Sequence, residues 1–388
     1  MALLILCLIM AAAFYLITVL YALCWTRHLT AHVEFGQRQV NEGDMVTIRE
    51  QIENRKLLPL LTLTVKYQLD RSLEFTEQGS AKRTDRQYRN DGICVMPYQR
   101  VTRILHVKAA KRGYYTVDKI DLVVTDPLYN RTHLQEQENE TSLLVYPSRS
   151  RLGTVDAVFQ RMYGECISRR FLMEDPFAFK GIRAYAPTDP MHRINWKSSA
   201  RTGGLMVNQY YDTTSQQVCI FLDVQQDEVF LDDALMEEGI RITRNLLEDF
   251  IGQGIPVSIV SNGVDVLSGQ EVRTGEGAGI PHIEKSLIRL ARMQTSGVIR
   301  KMSELLMEEK ESMQRKNNLT TILISTNATD ELAEAYAQYA ADDRQENWLL
   351  PVHASMMRYM EEEGKTLQIS RICTDKVRIE YLVMERGI

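Results

Sequence analysis

The fold of the C-terminal half is decided by the stretch VCIFLD at residues 218–223, in which five apolar residues are followed by an aspartate. Similar short runs return further along the chain, at 256–260 (PVSIV), 321–324 (TILI) and 348–352 (WLLPV). Apolar runs of this length without alternation are typical of strands that are buried on both faces. We therefore expect a largely parallel sheet in this half of the chain.

The segments between these runs carry the apolar spacing of helices. They are Asp232–Ile251, His282–Met307 and Asp330–Ala341. Strands that alternate with helices predict an α/β doubly wound domain, which we place at residues 216–388.

Residues 32–148 have a different pattern, in which apolar and polar residues alternate with a period of two. Val46–Ile52, Leu61–Tyr67 and Ile104–Lys108 are examples. Short alternating strands separated by turn residues predict an antiparallel β-sandwich domain. Residues 149–215 have weaker periodicity and form a bridge to the second domain. The expected fold class is therefore α+β, with several domains.

The N-terminus predicts a membrane anchor within residues 1–26. No charged residue occurs from Ala2 to Trp25, and such a run is long enough to cross a bilayer as one helix. A cleaved signal peptide is disfavoured, because no basic residue precedes the run. Arg27 and Arg38 follow it, so the positive-inside bias predicts a single-pass protein of the cell membrane with its soluble domains in the cytoplasm.

Composition and charge exclude several classes of protein. The chain is 44% hydrophobic and 25% charged, which excludes an intrinsically disordered chain. Residues 27–215 carry a net charge of +6 and residues 216–388 a net charge of −11. The basic half suits the anionic inner surface of a membrane, whereas the acidic half argues against a nucleic-acid partner. The alternative is that both halves are ordinary solvated surfaces. The six cysteines have no spacing that indicates disulfides or a zinc site.

A first candidate site lies where the stretch 218–223 ends. Ligands of doubly wound sheets bind outside the carboxyl ends of the strands. Oxygens of Asp223, Gln225 and Asp227 could face a hard cation such as Mg²⁺, although Asp227 could equally begin the next helix. The chain has no standard catalytic motif, so we predict that it is not an enzyme. The alternative is a metal-dependent hydrolase or phosphotransferase that uses Asp223 and Asp227.

A second candidate site lies in the bridge, where basic and aromatic residues surround one carboxylate. Arginine can stack on aromatic rings and can bind a carboxylate through two hydrogen bonds. Two interpretations remain open: a recognition surface for an acidic partner or nucleic acid, and a polar network that fixes the bridge to the α/β domain. The residues themselves favour the network, because a phosphate site would need glycines or further lysines. The residues concerned are Arg183, Tyr185, Asp189, Arg193, Trp196, Lys197 and Arg201.

These two segments resemble a family of bacterial membrane proteins, the domain-of-unknown-function family 58. Its members are related to the von Willebrand A fold and accompany MoxR-type AAA+ ATPases. The likeness extends upstream to Lys111–Tyr115, Asp126–Tyr129 and Leu143–Pro147, and so covers nearly the whole chain. The residues that match the family pattern are Arg183, Tyr185, Asp189, Arg193, Ile194, Trp196, Lys197, Ala200, Arg201, Leu205, Val207 and Asp223.

The resemblance implies a von Willebrand A-like domain at 216–388 and a non-enzymatic interaction protein. The implied partner is a MoxR-type ATPase, with a transglutaminase-like membrane protein as a further member of the same system. Three features depart from the family: Thr188 replaces a glycine, one membrane helix replaces two, and the Asp-x-Ser-x-Ser metal motif reads Asp223-x-Gln225-x-Asp227. The last departure argues against a bound metal.

Overall fold

The chain divides into two units, Met1–Ser148 and Arg149–Ile388, in the computed structural model of its 388 residues. Both units contain helices and strands, so the mixed α+β class with more than one domain is confirmed. The residues that the structure describes are 2–75, 86–88, 92–127, 131–172, 174–187, 189–212, 216–225, 232–295, 300–313, 319–340, 346–373 and 376–384.

The N-terminal unit begins with one apolar helix, α1, at Ala2–Cys24. The helix contains no charged residue, proline or glycine. Its 23 residues extend about 34 Å, which exceeds the hydrocarbon core of a bilayer at about 30 Å. Within the described residues, it is the one helix that is long and apolar enough to cross a membrane. The Thr18 hydroxyl donates to the carbonyl oxygen of Tyr15 at 2.8 Å, so it is satisfied inside the helix.

Strands make up the rest of this unit, in two sheets. One sheet has the order β1-β3-β8-β5 and is antiparallel, and the other has the order β2-β10-β9-β4-β6, with β7 also paired to β4. The pair β2–β10 is parallel. The strands are β1 Leu29–Phe35, β2 Gln39–Asn41, β3 Met45–Asn54, β4 Leu60–Asp70, β5 Leu73–Phe75, β6 Arg86–Tyr88, β7 Gly92–Val95, β8 Arg100–Ala109, β9 Gly113–Thr125 and β10 Thr132–Tyr146.

Side chains from both sheets form one apolar core. Ile48 of the first sheet and Leu63 of the second are fully buried in it, because alternate residues of each strand point inward. Polar groups also cross between the sheets. The Tyr67 hydroxyl donates to Glu50 Oε1 at 2.6 Å, and the Asn139 amide donates to the Val33 carbonyl at 3.0 Å. These buried groups are therefore hydrogen-bonded rather than left without partners.

The C-terminal unit opens with a helix and a two-stranded sheet, and then alternates strands with helices. Its elements are α2 Gly153–Leu172, β11 Glu174–Ala184, α3 Trp196–Thr202, β12 Met206–Asp212, β13 Gln217–Leu222, α4 Asp233–Gly252, β14 Val257–Asp265, β15 Glu271–Gly277, α5 Ile280–Arg292, β16 Met293–Gln294, α6 Met302–Met313, β17 Leu319–Ile324, α7 Asp330–Tyr339, β18 Glu346–His353, α8 Ala354–Glu362, α9 Lys365–Cys373 and β19 Val377–Met384.

The main sheet of this unit has the strand order β15-β14-β13-β17-β18-β19. Neighbours from β14 to β19 are parallel, and β15 is an antiparallel edge strand. Helices cover both faces. The Phe221 ring lies 5.4 Å from that of Tyr339 in α7, whereas the next residue, Leu222, faces α4 beside Gly239. A Cβ on Gly239 would lie 3.4 Å from Ile324, so the missing side chain lets α4 approach the sheet closely.

The predicted buried strands and two of the predicted helices are confirmed. Apolar runs of the sequence form β13, β14, β17 and β18, and α4 and α7 lie at the expected segments. The single helix predicted at His282–Met307 is wrong. The chain leaves α5 at Arg292 and pairs Met293–Gln294 with β14 before α6 begins. The sequence Thr-Ser-Gly at 295–297 consists of poor helix formers, which disfavours continuation.

Candidate functional site

The first candidate site lies at the carboxyl ends of the parallel strands β13 and β17, beside residue 262 of the longer strand β14. Leu222, the last residue of β13, pairs with Ser261 of β14 and with Ile324 of β17. The residues that follow these three are Asp223, Asn262 and Ser325, so the register alone brings their side chains together. We call these three residues and Asn327 the strand-end cluster.

Hydrogen bonds occupy both carboxylate oxygens of Asp223. Oδ1 accepts from the Asn262 amide at 2.7 Å and from the backbone N–H of Gln225 at 2.9 Å. Oδ2 accepts from the Ser325 hydroxyl at 2.7 Å. The same Ser325 oxygen accepts from the Asn327 N–H at 2.9 Å, and Asn262 Oδ1 accepts from the Val224 N–H at 2.9 Å. The cluster therefore links three neighbouring strands by hydrogen bonds.

Asp223 is deeply buried, with 3% of its surface exposed. Burial raises the pKa of its carboxyl group, and the hydrogen bonds from Gln225, Ser325 and Asn262 act in the opposite direction. A charged group in such a place is tolerated only when it is hydrogen-bonded. The arrangement is that of a structural joint in which the polar atoms of Asp223 are satisfied, whereas the buried Asn327 Oδ1 has no hydrogen-bond partner among the described residues.

Of the three predicted metal ligands, two lie among the residues that the structure describes. Asp223 lies in the strand-end cluster, and Gln225 donates its backbone N–H to Asp223 Oδ1. Asp227 lies outside the described residues. In the described part of the chain, no group of three or more His, Cys, Asp or Glu side chains could hold a metal ion. A divalent ion such as Mg²⁺ takes several oxygen ligands and waters, whereas Asp223 is buried and its oxygens are already engaged. Asp223 and Gln225, the two predicted ligands that the structure describes, do not by themselves fit Mg²⁺.

The second candidate site is a hairpin of β11 and β12, whose connection contains α3. Arg183 at the end of β11 binds Asp189 through two hydrogen bonds, Nη1 to Oδ2 at 2.6 Å and Nη2 to Oδ1 at 2.5 Å. Asp189 Oδ2 also accepts from the backbone N–H of Ala186 at 2.8 Å. These bonds, with a smaller contribution from the charge of Arg193, lower the pKa of Asp189 to about 2. The carboxylate therefore stays ionised and fixes the loop after β11.

Helix α3 is fixed to β12 by polar contacts at its start. Asn195 caps the helix by accepting from the Ser198 N–H at 2.9 Å, and its amide donates to Asn208 of β12 at 2.7 Å. The hydroxyl of Ser199 accepts from the Met206 N–H at 2.9 Å. Ile194 is buried and bridges to Val207 of β12. The short helix is therefore held in one orientation despite its seven residues.

The first residue of this helix, Trp196, presents 67% of its surface to solvent. Met191, in the turn just before it, is 71% exposed, and Leu205, just after the helix, is 46% exposed. Large exposed apolar side chains close together in the chain are candidates for an interaction site. We call the segment 189–205 the signature platform.

The remaining residues predicted at this site lie on or beside the platform. Lys197 and Arg201 are exposed on α3, and Tyr185 and Arg193 are partly buried. The backbone N–H of Tyr185 donates to the carbonyl of Leu205 at 2.9 Å, which joins the two ends of the loop. The ion pair of Arg183 with Asp189 lies within the hairpin. Sequence analysis missed Asn195 and Asn262. Asn195 precedes a helix, where a capping asparagine is common, whereas Asn262 lies inside β14 and has no such local signal.

The chain is thus a mixed α+β protein of two units with an N-terminal helix able to span a membrane, and comparison with known proteins adds little to that class. No family model matches it. An uncharacterized protein of Bacillus subtilis (strain 168), YeaD, is 21% identical over 248 residues, which is 63% of this chain and 58% of that protein. The matched region therefore spans less than two thirds of the relative.

Three solved structures show remote likeness, each with a TM-score of 0.21. A non-cellulosomal cohesin from Archaeoglobus fulgidus is 11% identical and matches 30% of this chain and 91% of that one. The CARDB domain of the PF1109 protein from Pyrococcus furiosus, in complex with di-metal ions, is 13% identical. The match covers 31% of this chain and 90% of that domain. A PapD-like domain of human CEP192 is 7% identical, and the match covers 30% of this chain and 86% of that domain.

Proposed function

We propose that this chain is a membrane-anchored interaction protein whose C-terminal, von Willebrand A-like unit binds a MoxR-type AAA+ ATPase. In this proposal the chain belongs to the domain-of-unknown-function family 58, and the N-terminal unit is a β-sandwich. The complex assembles or remodels other proteins at the cell envelope, together with a transglutaminase-like membrane protein. The partner's class comes from the resemblance of the sequence, and the binding surface is argued from the geometry.

The observation that carries the proposal is the exposure of Trp196 on a rigid platform. A tryptophan that faces solvent costs free energy in the isolated protein, and tryptophan is enriched among the residues that dominate binding energy in interfaces. The Asn195 cap and the Arg183–Asp189 pair hold the platform in place before any partner arrives. Binding to a pre-ordered surface loses less conformational entropy.

The strand-end cluster supports binding rather than chemistry. A nucleophile, base or metal ligand needs lone pairs or protons that are open to a substrate. Asp223 instead accepts three hydrogen bonds and is buried. These contacts favour the interaction protein over the metal-dependent hydrolase or phosphotransferase that Asp223 and Asp227 would otherwise suggest.

The orientation in the membrane is part of the same proposal. α1 crosses the cell membrane once, and both units lie in the cytoplasm, where an ATPase is found. Arg27 and Arg38 on the C-terminal flank of α1 support this orientation, because basic residues near a span favour the cytoplasmic side.

A pull-down from the protein's own membranes tests the proposal. The tagged full chain is solubilised in detergent and captured with and without ATP, and the bound proteins are identified by mass spectrometry. We expect an AAA+ ATPase with the wild type and with Ile280→Ala, and its loss with Trp196→Ala. Ile280 is a matched control, because it is 72% exposed in the same unit but lies at the start of α5. Equal recovery with both variants would contradict the proposed surface.

A further inference from the structure

The end of the N-terminal unit next to α1 carries an unusual concentration of exposed apolar residues. The strand register places the start of β1 beside the end of β3, since Leu29 pairs with Asn54, and the end of β3 beside the start of β8, since Glu53 pairs with Arg100. In the other sheet, the starts of β4 and β10 and the ends of β7 and β9 meet in the same way. We call this end of the unit, with its loops 55–59 and 96–99, the anchor-proximal end.

The chain holds this end close to the last turn of α1. Five residue steps separate Cys24 from Leu29 and can extend no more than about 18 Å. The backbone N–H of Arg55 donates to the carbonyl of His28 at 3.0 Å. The rings of Tyr21 and Trp25, both buried, lie 6.5 Å and 6.1 Å from that of His133 near the start of β10. Wherever α1 leaves the bilayer, the anchor-proximal end must be beside it.

The two loops at this end are tied to each other and to β3. The Asn54 amide donates to the carbonyls of Leu58 at 2.9 Å and Met96 at 3.0 Å. The backbone N–H of Tyr98 donates to the carbonyl of Lys56 at 3.3 Å. The loops therefore present their outer side chains as one surface.

Those side chains are apolar and exposed. Leu57 is 76% exposed and Tyr98 is 71% exposed. Of the seven large apolar residues that are exposed in the described part of 29–148, five lie at this end and two elsewhere. The five are Leu57, Leu61, Met96, Tyr98 and Leu134, and the other two are Met45 and Ile104.

Cations accompany the apolar side chains. Arg27 and Arg131 are exposed here, and Arg55 and Arg100 share one carboxylate, Glu53. Lys56 is only 9% exposed, and within the described residues its Nζ has no hydrogen-bond partner. Its burial lowers its pKa to about 8. The exposed Arg27 and Arg131 are the cations that can reach lipid phosphate, as long basic side chains do at membrane surfaces.

We propose that the anchor-proximal end dips into the interfacial layer of the bilayer, with Leu57 and Tyr98 among the acyl-chain ends and the cations at the level of anionic headgroups. Apolar residues with flanking cations are the composition of surfaces that bind this layer. The inference rests on the membrane anchoring proposed above, and adds that the N-terminal unit is held against the membrane rather than standing away from it on a stalk.

Fluorescence quenching in vesicles tests the inference. The full chain is reconstituted in vesicles of phosphatidylcholine and phosphatidylglycerol, with the exposed Cys7 and Cys94 replaced by serine. An environment-sensitive dye is attached through Leu57→Cys or, as the control, through Met45→Cys. Met45 is 48% exposed and lies at the other end of β3, so labelling should disturb neither position. Adding lipids that carry a spin label near the headgroup end of the acyl chain should quench the dye at 57 and shift its emission to the blue, and leave the dye at 45 unchanged.

Two controls separate this inference from the anchoring. Extraction of the vesicles with alkaline carbonate reports on α1 alone: retention in the membrane supports anchoring, and release overturns it. If the chain is retained but the dye at 57 behaves like the dye at 45, the interfacial contact is wrong and the anchoring stands. The test holds for either orientation of the chain in the vesicle, because the anchor-proximal end lies next to α1 in both.

Discussion

The signature platform and the strand-end cluster reverse the usual relation between polarity and burial. Trp196, the largest apolar side chain of the platform, is 67% exposed, whereas the carboxylate of Asp223 is 3% exposed. Each is stabilised by what surrounds it: Trp196 begins a helix that Asn195 caps, and Asp223 accepts hydrogen bonds from Asn262 and Ser325. A buried charge with complete hydrogen bonds indicates architecture, and an exposed tryptophan on an ordered surface indicates binding.

The two sites are also connected along the chain. The cluster links the neighbouring strands β13, β14 and β17. The platform lies on the hairpin that precedes β13 in the chain. We infer that the first supplies a stable unit and the second supplies the contact surface. The following variants test this division.

Removal of the Asp223 side chain should have the largest effect on stability. Asp223→Ala leaves the donors of Asn262, Ser325 and Gln225 without an acceptor, and we expect a loss of about 3 kcal/mol in the free energy of unfolding. Trp348, fully buried in β18, allows denaturant unfolding of the C-terminal unit to be followed by fluorescence.

Asp223→Asn is the matched variant. Its amide oxygen can still accept from Asn262 and Gln225, and its amide nitrogen can donate to Ser325, so we expect a change of no more than about 1 kcal/mol. If Asn were as destabilising as Ala, the negative charge itself would be required at this position. The cluster would then have a role other than that of a structural joint.

Trp196→Ala should leave stability unchanged and weaken binding of the ATPase. Truncation of a tryptophan at the centre of an interface costs about 2 kcal/mol, or about a 30-fold rise in Kd. Titration of the purified ATPase, with Ile280→Ala as the control, measures the effect. A matching loss of stability in Trp196→Ala would show that the residue is architectural after all.

Arg183→Lys should give a smaller loss of affinity. Lysine keeps the charge but cannot form two parallel hydrogen bonds with Asp189, so the loop before α3 becomes less ordered. We expect Kd to rise by about threefold to tenfold, with no change in the melting temperature of the unit. An unchanged Kd would mean that the ion pair does not position the platform.

The pH dependence of Asp223 should be the smallest effect. Its folded-state pKa is raised, so it favours folding below the ordinary carboxyl pKa, and this contribution is lost as the pH rises through the folded-state value. From about pH 4 upwards, the wild type should therefore lose stability relative to Asp223→Asn. Parallel stability profiles of the two proteins across this range would show that Asp223 has an ordinary pKa.

The ion pair of Asp189 has the opposite sign. Its pKa is lowered to about 2, so the interaction with Arg183 is present above the ordinary carboxyl pKa and is lost only as the pH falls through 2. Between pH 5 and 8, where binding would be measured, the platform should therefore be insensitive to pH. A Kd that changes in this range would have to come from another group.

Local patterns in the sequence predict the strands and helices well, because each depends on neighbouring residues. The alternation in β3 and the continuous apolar run of β13 are both visible without coordinates. The broken helix after Arg292 is not, since Met293–Gln294 becomes a strand only by pairing with β14. Pairing between distant segments is a tertiary effect that overrides local periodicity.

The candidate sites could be located but not interpreted from the sequence. Asp223 stands out at the end of an apolar run, but its partners Asn262 and Ser325 lie 39 and 102 residues further along the chain. Nothing local shows that these side chains engage its oxygens. In the same way, a tryptophan in a basic segment is as compatible with a core as with a surface, and its exposure is decided by the hairpin.

Photo-crosslinking from position 196 tests the central claim most directly. Trp196→benzoylphenylalanine is compared in intact cells with the same substitution at Ile280, and adducts of the full chain are identified by mass spectrometry. If the signature platform binds the ATPase, we expect an adduct with an AAA+ ATPase from position 196 and none from position 280. Absence of that adduct from position 196, in a protein that is folded and membrane-bound, would contradict the claim that the signature platform binds the ATPase.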